Sequence, residues 1–271
     1  MNKRLLGLCA AIIAAFFVCT ACNVEPDVII DINSPSRAPV PTEVSATNPG
    51  LFTPAPPTEP PAVVTPVITD VPKVTQAPKP DYSVFNNCAF VGNSTFEGLY
   101  KYGVITQGSF FTRVGLNILT VYELSTTTGS IPIIDELNTG KYEAVILMFG
   151  ENELGWPNLN TFINKYSELL DDVWKRQPGC EIFIMGIPPV SESVSSSSTT
   201  GVTNENIQLY NAQLVDLATR RGCHFVSVPE SLMTSNGALP PEASSDGLHL
   251  NLQYSKLWAD HICLTVMSVL R

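Results

Sequence analysis

From Asp81 onward the sequence alternates short apolar runs with longer amphipathic stretches, and this alternation constrains the fold more than any other feature. Runs of four to seven residues suit buried strands, and strands that alternate with helices form parallel sheets. The sequence therefore predicts an α/β fold, a three-layer α/β/α sandwich around a central parallel sheet of about five strands. The predicted strands are residues 88–91, 109–113, 143–149, 182–185 and 225–228.

The helices are predicted from apolar residues that recur at spacings of three and four. Asn158 is the expected N-cap of one helix, and Pro178 with Gly179 ends it. Ser94 follows the first strand directly and is expected to open a helix. The residues expected on the buried helix faces are Leu159, Phe162, Ile163, Tyr166, Leu169, Leu170 and Val173, then Ile207, Tyr210, Leu214 and Leu217, and finally Leu257, Ile262, Val266 and Val269.

Ahead of this pattern the composition changes, because 14 of the 22 prolines fall in residues 26–80. Proline removes backbone donors and favours an extended chain, so no packed core is expected there. We therefore predict three parts: a signal peptide at 1–22, a disordered Pro/Thr-rich linker at 23–80, and one folded domain at 81–271.

The first 22 residues have the features of a secretory signal. Lys3 and Arg4 precede a 14-residue apolar run at 5–18, which is too short to span a membrane. Residues 19–22 (Cys-Thr-Ala-Cys) resemble a bacterial lipoprotein signal box, although Cys19 replaces the usual Leu. The resemblance implies that Cys22 is lipidated and anchors the protein to the membrane at the cell surface. The alternative is cleavage after Ala21, which would leave a soluble secreted protein.

The negative net charge of the folded region disfavours polyanionic partners. Residues 81–271 carry 10 Lys and Arg against 19 Asp and Glu. A negative field repels phosphate backbones and anionic headgroups, so nucleic-acid binding and electrostatic docking to anionic lipid are disfavoured.

Chemically useful residues follow three of the predicted strands, where parallel α/β sheets place their ligands. Ser94 follows the first strand, Asn152 the third, and Asp246 and His249 come after the fifth. A hydroxyl nucleophile, an imidazole base, an orienting carboxylate and fixed donors are what acyl transfer requires.

These residues resemble the motif blocks of the SGNH or GDSL hydrolases. The resemblance implies a flavodoxin-like fold with Ser94 as nucleophile, His249 as base and Asp246 as its partner. It also implies an oxyanion hole made by the backbone N–H groups of Ser94 and Gly115 and the side chain of Asn152. The matching segments are residues 90–94, 113–115, 150–153 and 246–249.

Two residues depart from the family pattern: Asn93 stands where the first block usually has Asp, and Glu153 where Asp usually follows Asn152. We interpret both as tolerated variations. The α/β-hydrolases share the order Ser, Asp, His but require Gly-x-Ser-x-Gly, which the residues around Ser94 do not form.

The remaining candidates are expected to be structural. His224 and His261 lack a motif, and three histidines without paired ligand spacing predict neither a metal nor another cofactor. Cys180 and Cys223 precede strands and are expected to be thiols, although secretion permits a disulfide. The serines at 195–198 are expected in a loop that borders the site.

The predicted function is hydrolysis of acyl esters, above all O-acetyl esters on carbohydrate or cell-wall substrates, by a monomer. Two alternatives remain at this point: an O-acyltransferase that uses the same residues, and a non-catalytic surface carbohydrate-binding or scaffold lipoprotein. Asn93 is the feature that keeps the non-catalytic alternative open.

Overall fold

The computed structural model of the protein describes residues 78–271. The predicted signal, Cys22 and all but the last residues of the predicted linker lie outside this range. All five predicted strands are present, and every neighbouring pair is parallel, in the order β2-β1-β3-β4-β5. The strands are Cys88–Gly92 (β1), Ser109–Thr112 (β2), Ala144–Met148 (β3), Glu181–Met185 (β4) and His224–Val226 (β5).

Strands β1 and β3 are buried along their whole length because helices cover both faces of the sheet. Side chains alternate between the faces with the period of two that a strand imposes. Phe90 and Ile146 pack into one apolar cluster, and Val91 and Leu147 pack into the other. This explains why these strands read as continuous apolar runs and confirms the predicted three-layer α/β architecture.

The helices divide between the two faces. Residues of α3 and α5 pack with Val91, whereas residues of α1 and α6 pack with Phe90. The helices are Ser94–Lys101 (α1), Ile133–Glu136 (α2), Leu159–Arg176 (α3), Glu192–Ser197 (α4), Asn204–Arg221 (α5) and Leu252–Leu270 (α6). Short 3-10 turns occur at Tyr82–Phe85, Thr120–Tyr122, Leu137–Thr139, Glu151–Glu153, Glu230–Leu232 and Pro241–Ala243.

Most of the predicted helix features are confirmed. Asn158 caps α3 by accepting a hydrogen bond from the backbone N–H of Asn160. The predicted face of α5 is buried throughout. On α6, however, Leu257 is 39% exposed, and the neighbouring Trp258 is fully buried. The prediction for Leu257 was wrong because α6 carries apolar residues on several sides, so spacing alone did not select the face.

The serine run after β4 also differs from its prediction. Most of it belongs to α4, which begins at Glu192 and is capped by the Ser191 hydroxyl through Val194 N–H. The Ser195 hydroxyl accepts a hydrogen bond from the backbone N–H of Asn204, at the start of α5. This stretch is therefore a short helix that braces α5, and not a loop.

Cys180 and Cys223 precede the neighbouring strands β4 and β5 and are free thiols. Burial raises the pKa of Cys180 to about 11 and that of Cys223 to about 12. Their predicted state as thiols is confirmed. Among the described residues, none of the helices is sufficiently long and apolar to cross a membrane.

The two ends of the described chain are joined by what we call the terminal clasp, formed by Asp81, Ser83 and Arg271. The Arg271 guanidinium donates to an Asp81 carboxylate oxygen and to the Ser83 hydroxyl, each at 2.7 Å. Hydrogen bonding from Arg271 lowers the pKa of Asp81 to about 2. Next to the clasp, the Tyr82 hydroxyl donates to Asp260 on α6 at 2.8 Å.

Candidate active site

Ser94 lies where β1 ends and α1 begins. A glycine is required just before it, because a Cβ at Gly92 would lie 2.8 Å from the Cβ of Met148 on β3. Asn93 caps the helix by accepting a hydrogen bond from Thr95 N–H at 3.0 Å. As the first residue of α1, Ser94 has a backbone N–H that no helix carbonyl accepts. The chain thus presents both the hydroxyl and the N–H of Ser94 at the carboxyl edge of the sheet.

Asp246 and His249 lie in the loop before α6. One carboxylate oxygen of Asp246 accepts hydrogen bonds from the backbone N–H groups of Leu248 and His249 and from the Ser244 hydroxyl. The other accepts from His249 Nδ1 at 2.7 Å. Desolvation raises the pKa of Asp246, but the hydrogen bonds from His249, Leu248 and Ser244 outweigh it and hold that pKa well below its usual range. Asp246 is therefore a firmly ionised partner for the imidazole.

The structure brings Ser94, His249 and Asp246 into one hydrogen-bonded series. Ser94 Oγ lies 3.1 Å from His249 Nε2, while His249 Nδ1 bonds Asp246 on the other side of the ring. Because ionised Asp246 can only accept, Nδ1 carries a proton, and neutral His249 then has an acceptor at Nε2. This arrangement can take a proton from the Ser94 hydroxyl.

Asn152 lies in the turn after β3 and lines the same cleft as Ser94 and His249. Its side-chain Nδ2 donates to the carbonyl of Leu116 at 2.8 Å. This bond ties the turn to the loop after β2, where Gly115 lies exposed. Gly115 itself is not among the residues that line the cleft, so the structure brings Asn152 to Ser94 more directly than it brings Gly115.

Gly150, which begins this turn, has a φ of +121°, and a Cβ there would collide with Ile187. A glycine is therefore needed for β3 to turn sharply toward the cleft. The turn itself is fixed by Glu153, whose fully buried carboxylate accepts from Gly150 N–H at 2.9 Å and from Ile118 N–H at 2.7 Å. Burial raises the pKa of Glu153 to about 7. Glu153 is thus a structural tie between two motif loops, a role that sequence reasoning missed.

Glu151 is a further residue that the sequence analysis did not single out. Its carboxylate lines the cleft and accepts hydrogen bonds from Asn93 Nδ2 at 2.5 Å and from the Thr95 hydroxyl at 2.7 and 2.9 Å. Burial raises the pKa of Glu151, whereas the bonds from Thr95 and Asn93 and the charge of His249 act to lower it. The signal in the sequence was the departure at Asn93, which places an amide donor where a carboxylate is usual.

A cleft of about 160 Å³ opens beside Ser94 and His249. Apart from Glu151 and His249, its lining is uncharged. The apolar wall consists of Leu154, Ile187, Val190, Val202, Ile207 and Leu248. A smaller recess of about 70 Å³, near Tyr102 and Trp258, adjoins the other side of the Ser94–His249 pair.

A larger groove of about 960 Å³ lies at the opposite, amino edge of the sheet, near Asn87, Glu143 and Gln177. We do not assign the site to this groove, because none of the candidate catalytic residues lines it. Its size reflects an open surface depression between strand starts.

The other two histidines lie outside the cleft lining. His224 begins β5 and bonds Glu181 through Nε2 at 2.8 Å. His261 lies on α6 with Nε2 3.5 Å from the Ser227 hydroxyl. In the part of the chain that the structure describes, no group of three or more His, Cys, Asp or Glu side chains is arranged to hold a metal ion.

The protein is a three-layer α/β sandwich with polar residues at the carboxyl edge of its parallel sheet, where such folds place their sites. The chain belongs to the GDSL-like lipase/acylhydrolase family, whose model matches residues 77–256. It is therefore an ester hydrolase by family, as the motif resemblance predicted. No curated protein sequence matches the chain.

Solved structures with the same fold come from several bacteria. A GDSL-like lipase from Bacteroides thetaiotaomicron is 15% identical with a TM-score of 0.53, over 72% of this chain and 93% of that chain. A protein from Streptococcus pneumoniae, named as a platelet activating factor, is 22% identical with a TM-score of 0.52, over 70% and 85%. A protein from Bacteroides fragilis, named as an acylhydrolase, is 16% identical with a TM-score of 0.52, over 72% and 93%. At these identities the similarity is one of fold.

Proposed function

We propose that the protein hydrolyses acyl esters with Ser94 as nucleophile, His249 as general base and acid, and Asp246 as the partner of His249. The observation that carries this proposal is the unbroken series of hydrogen bonds from Ser94 Oγ through the imidazole to the Asp246 carboxylate, beside an apolar cleft. Nucleophile, base and orienting group within hydrogen-bond reach are the features by which such a catalytic unit is recognised.

In the first step His249 Nε2 takes the Ser94 proton as Oγ attacks the ester carbonyl. Asp246 holds the imidazole in the required tautomer and stabilises the charged ring. The protonated His249 then gives its proton to the departing alkoxide, which leaves as the alcohol, and an acyl-Ser94 remains. A water molecule, deprotonated by His249, attacks this acyl group, and collapse of the second intermediate releases the acid and restores Ser94.

The oxyanion that forms in both steps needs donors that are already in place. The N–H of Ser94 at the start of α1 is one, and the positive end of the helix dipole favours negative charge at the same point. The Asn152 amide is the second, because one of its two N–H bonds is used on Leu116 and the other is left for the substrate. Gly115 is proposed as a third donor from the adjoining loop.

The cleft favours an uncharged acyl group, since most of its wall is apolar. We propose O-acetyl esters on carbohydrate as the first substrate class to examine. About 160 Å³ is more room than an acetyl methyl group needs. A panel should therefore run from acetylated xylans and cell-wall glycans to p-nitrophenyl esters of two to eight acyl carbons, with free acid released as the readout.

The decisive experiment compares two serines that each face a histidine. Ser94→Ala should abolish both hydrolysis of p-nitrophenyl acetate and labelling by a fluorophosphonate probe. Ser227→Ala removes the hydroxyl that faces His261 and should leave both unchanged. Wild-type turnover in Ser94→Ala would refute the assignment. Absence of labelling in the wild type would favour the non-catalytic carbohydrate-binding alternative, and acyl transfer to an added sugar in place of water would favour the transferase.

We also propose that Cys22 is lipidated and that the protein acts at the bacterial cell surface, as the signal motif suggests. Expression in a bacterial host with a radiolabelled fatty acid should label the wild type and not Cys22→Ser. Unlabelled wild-type protein released into the medium would instead indicate simple cleavage and secretion.

A further inference from the structure

Glu151 contacts both neighbours of the proposed nucleophile without bonding the nucleophile itself. One oxygen accepts from Asn93 Nδ2 at 2.5 Å and from the Thr95 hydroxyl at 2.7 Å, and the other accepts from the same hydroxyl at 2.9 Å. Asn93 and Thr95 stand on either side of Ser94 in the chain. Glu151 therefore fastens the turn after β3 to the first turn of α1 at the two positions that flank Ser94.

Both the oxygen and the nitrogen of the Asn93 amide make hydrogen bonds within the protein. Because the side chain is buried, water cannot replace these partners. Its Oδ1 accepts from Thr95 N–H and caps α1, while its Nδ2 donates to Glu151. Because an amide has one donor end and one acceptor end, the Glu151 carboxylate fixes which way the amide faces. The cap of the helix that starts at Ser94 therefore depends on an acceptor supplied by the turn after β3.

We propose that Glu151 is a positioning residue for Ser94, and that Asn93 and Glu151 form one interdependent pair in which the acceptor stands at position 151 and the donor at position 93. The proposal rests on the proposed role of Ser94 as nucleophile. It also accounts for the departure at Asn93. A carboxylate at position 93 would offer no N–H to the Glu151 oxygens, whereas the Asn93 amide donates one.

The consequence for the reaction follows from geometry. The bond from Ser94 Oγ to His249 Nε2 is 3.1 Å, near the upper end of hydrogen-bond reach, so a small displacement of the α1 start would break it. A misplacement of about 1 Å can lower a rate roughly 10²-fold. A positioning role predicts a lower kcat and little change in KM, because Glu151 would act on the nucleophile and not on substrate affinity.

The test is a charge swap in the full chain, with p-nitrophenyl acetate as substrate. Asn93→Asp puts two carboxylates face to face, and Glu151→Gln replaces one of the two accepting carboxylate oxygens with an NH₂ group that cannot accept a hydrogen bond. Each single variant should lower kcat roughly 10- to 100-fold. In the double variant the amide introduced at position 151 can donate to the carboxylate introduced at position 93 and accept from Thr95, while that carboxylate still caps α1. The double variant should therefore recover to within about 10-fold of the wild-type kcat.

Thermal midpoints measured on the same four proteins make the result decisive even where a single variant folds poorly. Recovery of both midpoint and kcat in the double variant supports the pair. Single variants with wild-type kcat, or a double variant as impaired as the product of the two singles, would overturn it. A fall in affinity alone, with kcat intact, would make Glu151 a substrate contact and overturn the positioning role. If the wild type hydrolyses no ester, the proposed function fails, whereas a failed rescue in an active wild type refutes only the pair.

Discussion

Within residues 78–271 two histidine–carboxylate pairs of nearly equal length lie at opposite edges of the same sheet. At the carboxyl edge His249 Nδ1 is 2.7 Å from Asp246, and at the amino edge His224 Nε2 is 2.8 Å from Glu181. The two histidines differ in what the second ring nitrogen, the one that does not contact the carboxylate, faces. His249 presents its second nitrogen to Ser94 at 3.1 Å, whereas the bonds that the structure records for the His224 ring include no serine.

A histidine–carboxylate pair is therefore not a catalytic site by itself. His261 shows the opposite case. Among the described residues it faces a serine, Ser227, and has no carboxylate hydrogen-bond partner. Only at the carboxyl edge do the strand exits of a parallel sheet bring helix starts and polar turns together around one ring. The position of His249 in the fold, more than its residue type, singles it out.

A second pairing sharpens the contrast, because each edge also uses an amide side chain to hold backbone carbonyls. Asn152 donates to Leu116 at the carboxyl edge. At the amino edge Gln177 donates to Leu137 and to Gly140, and accepts from Tyr142 N–H at 3.0 Å. Every polar atom of the Gln177 amide is hydrogen-bonded to the backbone. Asn152 uses one N–H on Leu116, and its second N–H remains for the cleft.

The greatest loss of kcat is expected from replacing His249, and none from replacing His224. His249→Ala should lower kcat on p-nitrophenyl acetate by roughly 10⁶-fold, because it removes the proposed base, as loss of a triad base does elsewhere. His224→Ala should leave kcat unchanged, since the His224–Glu181 pair lies at the other edge of the sheet. Steady-state kinetics on both purified variants check this. Equal losses in the two would break the comparison.

Replacing the two histidine partners, Asp246 and Glu181, should have different effects on kcat. Asp246→Asn is expected to lower kcat about 10⁴-fold, since the amide would favour the wrong imidazole tautomer. Glu181→Gln is the matched change at the amino edge and should have no kinetic effect. Both variants should remain folded by circular dichroism. A kinetic effect of Glu181→Gln, or none of Asp246→Asn, would contradict the assigned roles.

Loss of the Asn152 amide should lower kcat, whereas loss of the Gln177 amide should lower the free energy of unfolding. Asn152→Ala should lower kcat about 10²- to 10³-fold through loss of an oxyanion donor. Gln177→Ala should leave kcat unchanged but lower the free energy of unfolding by about 2–3 kcal/mol, at roughly 1 kcal/mol for each lost hydrogen bond. Kinetics and urea unfolding on the same samples test the division. The comparison fails if the two variants show the same pattern of losses.

The pH dependence of stability should report on Glu153. Burial raises the pKa of Glu153 from 4.5 to about 7, so the folded state binds this proton more tightly than the unfolded state does. Its contribution to stability is complete below about pH 4.5 and declines by about 3 kcal/mol as pH rises toward 7. Urea unfolding between pH 5 and 7 should show a shallower decline in Glu153→Gln.

The matched control is Glu143→Gln, which changes a carboxylate outside the buried turn, at the amino edge. It should follow the wild-type decline in unfolding free energy. If Glu153→Gln and the wild type differ by a constant amount across this pH range, Glu153 does not titrate as described.

The fold was predictable because the inner strands β1 and β3 are continuous apolar runs, and such runs are typical of strands that are buried on both faces. Ser94 and His249 were found for a related reason, since both lie after strands and within recognisable motifs. The face of α6 was predicted less well. Its apolar residues surround the helix, and the choice of Trp258 over Leu257 depends on tertiary packing.

The network behind Ser94 was not predictable in the same way. Glu151 and Glu153 each bond partners that are 35 to 58 residues away in the chain, such as Ile118 and Asn93. No local spacing encodes such a contact. The sequence marked Asn93 and Glu153 only as departures from a motif, and the structure gives each a defined partner.

The terminal clasp has a mechanical consequence. Helix α6 begins just after His249 and ends beside Arg271, so its 19 residues separate the clasp from the cleft by about 28 Å. A pulling force transmitted through residue 78 would load Asp81, its ion pair with Arg271 and the Tyr82–Asp260 bond before it reached any strand. A load applied there would therefore be borne by residues that take no part in the proposed chemistry.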